Sequence, residues 1–294
     1  MGRSGFATRL TRTTAPIEWV EGVRPVAVSG PLFLCLEASV SMVKTPGEIA
    51  LMREAGRVVA NTLSAVRSHA SVGVSLKELD DVAAAFIEAA GATPAFLDYR
   101  PRWAPTPFSG VICTSVNDAV VHGIPDGYVL QDGDLLSVDC GAFVQGWCGD
   151  AAVSFIVGTP DPVDQELIDA TDAALARGIE AARIGNKMGD LAYAIGGEAK
   201  RSGYGILADH GGHGIGRTMH AEPSVPNIGR PGRGVKLVEG LVIAIEPMLI
   251  LGGSDDYYHD DDQWTLRSAN GRRAAHSEHT VAITADGPLV LTLP

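Results

Sequence analysis

The sequence predicts an α+β fold, with helices and β-strands in one chain, on three observations. Residues 45–48, Thr-Pro-Gly-Glu, supply the N-cap, first-turn proline and capping-box glutamate that begin a helix. Residues 135–155 alternate apolar with small or polar side chains on both sides of a tight turn near Gly146, which is typical of a β-hairpin. Residues 161–182 begin with Asp-Pro and are expected to form another helix.

The other elements follow from the same kinds of signal. Ser75 and Glu78 form a second capping box, and Gly91 is expected to end that helix. Further elements are expected at residues 92–110 (a long loop rich in Pro, Arg and aromatic residues), 110–115 (strand), 188–201 (helix), 241–245 (strand) and 276–283 (strand).

The chain divides into an N-terminal extension, residues 1–41, and one main domain, residues 42–294. Three arginines precede the first acidic residue, Glu18, and Thr, Ser and Pro are scattered through the extension. We expect a poorly ordered tail. A weak targeting segment is the alternative, although the apolar run 32–36 is shorter than the roughly 7–15 residues of a signal core. Met42 directly precedes the first clear helix and is a candidate start of translation.

The composition limits the possible partners. The 294 residues are 46% hydrophobic, enough for a large core, and the formal net charge is −12. With no basic run, nucleic acid and anionic membranes are not expected as direct partners. No apolar stretch approaches the roughly 18 residues that span a bilayer. The four cysteines form no Cys-x-x-Cys pair, so we expect reduced thiols and a cytoplasmic protein.

Two aspartates in the hairpin are the first candidate site residues. Asp139 and Asp150 lie on opposite strands, each among small or polar neighbours. The hairpin can bring the carboxylates side by side, where they repel each other unless a cation lies between them. The alternative is that both face solvent on an ordinary hairpin.

Three more candidates lie downstream. His213 and His220 bracket a glycine-rich segment, residues 210–223, whose glycines would let the backbone turn sharply beside a ligand; a flexible surface loop is the alternative. Glu246 closes one apolar strand and Glu278 opens another. A carboxylate buried alone is costly, so each needs a partner such as a cation.

Together these residues suggest a metal centre. The four carboxylates carry −4, which matches two divalent cations, and one imidazole adds a nitrogen donor. This mixture suits Co, Mn, Fe or Zn better than an all-oxygen magnesium site. Two such cations would lower the pKa of a shared water. The proposed ligands are Asp139, Asp150, His213, Glu246 and Glu278.

Five motifs, in this order, resemble the type I methionine aminopeptidases, which have the pita-bread metallopeptidase fold. They are Ser-Val-Asn-Asp-x-Val-Val-His-Gly-Ile-Pro (115–125), Val-Asp-x-Gly through Gly-Asp (138–150), Gly-His-Gly-Ile-Gly-Arg-x-x-His-x-x-Pro (212–223), Ile-Glu-Pro-Met (245–248) and Glu-His-Thr (278–280). The resemblance covers residues 42–294. It implies a catalytic domain built on a curved, mostly antiparallel sheet with helices on its outer face.

The resemblance also implies roles for individual residues. Asp139 would chelate one metal ion, Asp150 and Glu278 would bridge two, and His213 and Glu246 would complete the shell of the other. In catalysis, His122 would lie near the substrate amine, His220 would donate to the substrate carbonyl, and Glu246 would shuttle the proton. The wall of the substrate pocket would be formed by Phe96, Tyr99, Phe108, Cys113, Met219 and Trp264. By itself, His122 is also compatible with a hydrogen-bonded structural role.

The implied activity is metal-dependent removal of the N-terminal methionine from new proteins when the second residue is small. Its partners would be nascent polypeptide N-termini, at the ribosome or away from it, and the enzyme would be a monomer. Ala119 stands where the family usually has Glu, Met219 where an aromatic is usual, Ala151 where Thr is common, and the 99–108 loop is longer than is typical. The alternatives are an Xaa-Pro aminopeptidase or prolidase, a non-enzymatic binding protein of this fold, and a paralogue with weakened activity.

Overall fold

A computed structural model of the protein describes residues 42–207 and 209–294. The expectation of a poorly ordered extension at residues 1–41 therefore lies outside the described residues. Within the described part, no helix is both long and apolar enough to cross a membrane.

The helices of the described part lie where the sequence predicts them. They span Pro46–His69 (α1), Leu76–Ala89 (α2), Pro162–Ala181 (α3) and Met188–Ser202 (α4). At α1 the Thr45 hydroxyl accepts from the Glu48 backbone N–H at 3.3 Å, and the Glu48 carboxylate accepts from the Thr45 N–H at 2.8 Å. Ser75 and Glu78 repeat this reciprocal cap at α2. These bonds satisfy N–H groups that the first helical turn leaves without partners.

The strands form one large and two small sheets, and the pairings within each are antiparallel. The strands are Thr93–Pro94 (β1), Ile112–Val116 (β2), Ala119–Val121 (β3), Leu135–Val144 (β4), Trp147–Ile156 (β5), Gly205–Ile206 (β6), Gly211–Gly214 (β7), Ala221–Pro226 (β8), Val242–Ile245 (β9), Met248–Ile250 (β10), Tyr257–His259 (β11), Leu266–Ser268 (β12), Ala274–His276 (β13), Glu278–Thr284 (β14) and Gly287–Val290 (β15). The large sheet has the order β1-β4-β5-β14-β9-β7-β8, with β2 also paired to β4 and β15 to β14. The small sheets are β13-β10-β6 and β11-β12-β3.

The predicted hairpin is formed by β4 and β5. Its two-residue turn consists of Gln145 at φ 51° and Gly146 at φ 76°, the left-handed pair that suits the twist of antiparallel strands. Arg217 donates to the carbonyl oxygens of both turn residues and stacks 4.0 Å from the centre of the Trp147 ring. These contacts connect the tip of the hairpin to the glycine-rich segment.

The helices cover one face of the large sheet, as expected. Val138 and Cys140 of β4 belong to a buried cluster shared with α1 and α2, while Ile243 of β9 and Val281 of β14 belong to a cluster shared with α3 and α4. Because side chains alternate along a strand, Asp139, between Val138 and Cys140, faces away from the helices. The opposite face of the sheet is therefore available for a site.

The glycines of residues 210–223 were expected to let the backbone turn sharply rather than to form regular structure, and this is wrong for Gly211–Gly214, which form strand β7. Their small size is needed for close packing instead. A Cβ atom on Gly212 would lie 2.0 Å from the carbonyl oxygen of Ala244 on β9. Glycine at this position lets two backbones approach closely beside the site.

The Gly212→Ala substitution should destabilise the protein, because neither backbone can move away without breaking the β7–β9 pairing. We expect a loss of about 1–3 kcal/mol in the free energy of unfolding, the usual range for overpacking, measured by urea denaturation. Gly47→Ala, in an exposed first turn where a Cβ would meet nothing within 4 Å, is the control and should cause no loss. Equal stability of both variants would contradict this account.

Candidate metal centre and substrate pocket

Neighbouring strands of the large sheet each contribute one predicted ligand. Asp139 lies on β4, Asp150 on β5, Glu278 at the start of β14, Glu246 directly after β9, and His213 on β7. The strands are adjacent in the order β4-β5-β14-β9-β7, which is not their order along the chain. The sheet thus aligns side chains that are up to 139 positions apart, from 139 to 278.

The register of the sheet explains how the acids come to face one another. Ala152 pairs with Asp139 on one side and with Glu278 on the other, and Asp150 lies two residues before it on the same face. The pairing of His279 with Ile245, continued by one residue, places Glu246 opposite Glu278. The methyl side chain of Ala152 leaves space between the carboxylates.

His213 is oriented as a metal ligand would be. Its Nδ1 lies 3.0 Å from the Gly214 carbonyl oxygen, so an Nδ1–H can donate there and leave the Nε2 lone pair free. Nε2 lies 3.9 Å from Asp150 Oδ2 and 3.7 Å from Glu246 Oε1. These separations are too long for hydrogen bonds and leave room for an ion.

Several buried polar atoms of the site have no hydrogen-bond partner in the described part of the protein. Four of them belong to the two groups of carboxylates and imidazoles or to Asp139: Asp139 Oδ1, Asp150 Oδ1, Glu278 Oε1 and His276 Nε2. Buried polar atoms are rarely left unsatisfied, and four in one place point to a missing charged partner. A divalent cation is the partner that suits three carboxylate oxygens and an imidazole nitrogen.

The pKa values of the site reflect burial and mutual repulsion. Burial raises the pKa of Asp139 to about 7 and that of Glu246, where Asp139 adds its charge, to about 8. Burial and then neighbouring carboxylates raise the pKa values of Asp150 and Glu278 well above their usual range. Burial lowers the pKa of His213 to about 4, so its imidazole is neutral at pH 7 and able to bind a metal.

The ligand atoms form two groups that share Glu278. The first group consists of one ligand atom each from Asp150, His213 and Glu278, and the second of one each from Glu246, His276 and Glu278. Within each group, the atoms all lie within 4.8 Å of one another. Asp139 belongs to neither group but lines the same cavity and acts electrostatically on both Asp150 and Glu246.

His276 was not among the predicted ligands. A signal for it was present, since His276 precedes Glu278 by two residues and alternate residues of an extended chain share a face. Its ring is 2% exposed, and its Nε2 lies 3.8 Å from Glu278 Oε2.

The predicted substrate-binding residues surround the same space. A cavity of about 400 Å³ is lined by all of them together with the five predicted metal ligands: Phe96, Tyr99, Phe108, Cys113, His122, Met219, His220, Trp264, Asp139, Asp150, His213, Glu246 and Glu278. Trp103 and His210, which we did not predict, also line it. Both lie in loops, whose packing has no periodic signal in the sequence.

Aromatic contacts position the histidines of the cavity. Tyr99 stacks on His220 with ring centres 5.3 Å apart, and the ring centres of His220 and His213 are 4.1 Å apart. His220 is partly open to the cavity; removal from water and the neighbouring imidazoles lower its pKa. His122 adopts a left-handed backbone at φ 61°, unusual for a non-glycine residue and frequent at functional sites. Burial lowers its pKa to about 4.

Comparison with known proteins agrees with this geometry. Residues 50–285 match the model of metallopeptidase family M24, and the chain belongs to that family. It is 49% identical over 257 residues to "Methionine aminopeptidase 1" of Mycobacterium tuberculosis, an alignment that covers 85% of this chain and 94% of that protein.

Solved structures show the same architecture. A methionine aminopeptidase of Thermotoga maritima superposes with a TM-score of 0.82 at 37% identity, covering 86% of this chain and 99% of the other. A prolidase of Pyrococcus furiosus superposes with a TM-score of 0.69 at 23% identity, covering 86% of this chain and 66% of the other, and shares the fold alone. The predicted fold, a curved antiparallel sheet with helices outside, is thus confirmed.

The metal-free protein should lose stability as the pH rises from about 6.5 to about 8. Carboxyl groups with raised pKa values keep protons in the folded state that the unfolded chain has already released, so rising pH favours unfolding up to the folded pKa values, about 7 for Asp139 and about 8 for Glu246. The buried histidines have the opposite effect, but only below their unfolded pKa of about 6.5. Urea denaturation with chelator across this pH range measures the slope.

The Glu246→Gln substitution should make that slope shallower, because it removes one of the titrating groups. Glu88→Gln, on the exposed end of α2, is the matched control and should leave the slope as it is. A slope in Glu246→Gln equal to that of the parent protein would contradict the assignment.

Proposed function

We propose that this protein is a metal-dependent methionine aminopeptidase that removes the N-terminal methionine from polypeptides. One observation carries the proposal: a single cavity holds both the cluster of acids and imidazoles and an apolar pocket of amino-acid size. The close relatives named as methionine aminopeptidases support the same activity.

The residues of the site fit two divalent cations, with Co, Mn, Fe or Zn as candidates. Asp139, Asp150, His213, Glu246 and Glu278 would hold them, and the unpartnered buried oxygens are the observation that supports this. When bound, such ions would act as Lewis acids and lower the pKa of a water molecule towards neutrality. They would also offset the mutual repulsion of the carboxylates.

The pocket wall supports a methionine side chain as the group that is recognised. Phe108 packs edge-on against Trp264 with ring centres 5.2 Å apart and against Phe96 at 6.4 Å. Cys113 and Met219 add polarizable sulfur, and burial raises the pKa of the Cys113 thiol so that it stays neutral. Aromatic edges and sulfur atoms suit an unbranched thioether.

The histidines would handle the developing charge. Neutral His220, fixed by stacking on Tyr99, would donate a hydrogen bond to the substrate carbonyl as it becomes an oxyanion. His122 would lie near the scissile bond. Glu246, which lines the cavity, would take the proton of the attacking water and pass it to the leaving amine.

The proposal extends to the cellular setting. The substrates would be nascent polypeptides with a small second residue, met at the ribosome or after release, and the enzyme would work as a monomer in the cytoplasm. Cys113, Cys140 and Cys148 are buried and unpaired within the described residues, which is usual for a reducing compartment.

The alternatives fit less well. Prolidase-like chains share this fold, but the solved prolidase is 23% identical to this chain, against 37% for the methionine aminopeptidase of Thermotoga maritima. A non-enzymatic binding protein of this fold would have no need for a full set of acids and imidazoles in a buried cavity, yet all five predicted ligands line it.

Metal removal should abolish hydrolysis of a Met-Ala-Ser peptide, and Mn²⁺ or Co²⁺ should restore it, because the acids cannot polarise the carbonyl without a cation. Release of free methionine, followed by chromatography, measures the activity. A Leu-Ala-Ser peptide is the matched control, and we expect cleavage at least about tenfold slower. Undiminished activity after chelation, or equal rates on both peptides, would overturn the proposal.

The His220→Ala substitution should lower turnover about 10²–10³-fold, the usual cost of losing an oxyanion donor. Metal content, measured by elemental analysis, should not change. His69→Ala, at the exposed end of α1, is the control and should keep full activity. Loss of metal from the His220 variant would mean that this residue is a ligand instead.

A further inference from the structure

His276 is a buried imidazole to which the proposed mechanism gives no role. It ends β13, with one residue, Ser277, between it and β14, and only 2% of its surface is exposed. Its Nε2 has no hydrogen-bond partner among the described residues. A buried histidine normally directs both ring nitrogens at partners, so the free nitrogen needs an explanation.

The nitrogen points at two carboxylates. His276 Nε2 lies 3.9 Å from Glu246 Oε2 and 3.8 Å from Glu278 Oε2. Neither distance is a hydrogen bond. Two ligand atoms that each lie about 2.1 Å from one cation are roughly 3–3.5 Å apart. Small side-chain rotations that move each atom by a few tenths of an ångström would bring the imidazole nitrogen and the carboxylate oxygens to about that spacing.

The arrangement around His276 repeats the one around His213. Glu246 lies between the two rings, with Oε1 at 3.7 Å from His213 Nε2 and Oε2 at 3.9 Å from His276 Nε2. Glu278 belongs to both three-residue groups. Two groups of possible ligands therefore share Glu278, and each contains one imidazole.

We propose that His276 is a sixth protein ligand of the metal centre, so that each of two cations receives one nitrogen donor. The inference rests on the proposed function, because it assigns a further ligand to the same centre. A second nitrogen donor should favour Zn²⁺ and Co²⁺ over Mn²⁺, since imidazole raises affinity along the order Mn, Fe, Co, Zn.

X-ray absorption at the zinc edge tests the proposal on the full chain. The protein is stripped of metal, loaded with two equivalents of Zn²⁺ and checked for zinc content, and imidazole scattering is expressed per protein chain. We expect two imidazoles in the parent protein and one in His276→Gln. His279→Gln is the control, since His279 lies on β14 with its Nδ1 bonded to Thr292 Oγ1 at 2.8 Å, and it should keep two.

Competition between Zn²⁺ and Mn²⁺ gives an independent measurement. We expect His276→Gln to lower the preference for zinc by about tenfold or more, within the range seen when groups around a metal are altered. His279→Gln should leave the preference unchanged.

The outcomes separate this inference from the proposed function. The assignment of His276 would be overturned by one imidazole per chain in the zinc-loaded parent protein, or by two in His276→Gln. The proposed function would still stand in that case, provided that the metal-loaded enzyme is active. Failure of the parent protein to bind zinc would overturn the metal centre and both proposals with it.

Discussion

Electrostatic repulsion among buried carboxylates is the constraint on which the site depends. Asp150, Glu246 and Glu278 lie close together in a cavity that water cannot fully solvate. Burial and the neighbouring carboxylates raise the pKa of each, so the protonated form is favoured at neutral pH. Such a cluster costs folding free energy unless cations neutralise it. A protein that keeps these acids together therefore gives up stability in the metal-free state for a site whose side chains suit divalent ions.

The large sheet makes this arrangement possible by separating two functions between its faces. Residues that face the helices, such as Val138 and Ile243, form the apolar core, and the alternate residues form the site. Glycine and alanine keep the inner face open where carboxylates converge, as Ala152 does between Asp139 and Glu278. The rigidity of the paired backbone then holds the acids in place against their repulsion.

Local chemistry made much of this predictable. Capping boxes such as that of Thr45 defined the starts of helices, and the alternating pattern with a turn at Gly146 defined the hairpin. Glycines misled the prediction at residues 211–214, because glycine signals a turn and a close strand contact equally well. His276 was missed although it lies two residues before Glu278, because that spacing indicates a ligand only once both residues are known to be buried around a common space.

The sequence by itself determined the kinds of side chain available, the helix and hairpin boundaries and the family resemblance, because these depend on neighbours within a few residues or on ordered motifs. Only the tertiary structure decided that strands β4, β5, β14, β9 and β7 are adjacent, which sets the distances between the acids. It also decided which polar atoms lie buried without partners, including Nε2 of His276. Both depend on packing between segments far apart in the chain, where the free energy of many weak contacts, rather than any local pattern, fixes the geometry.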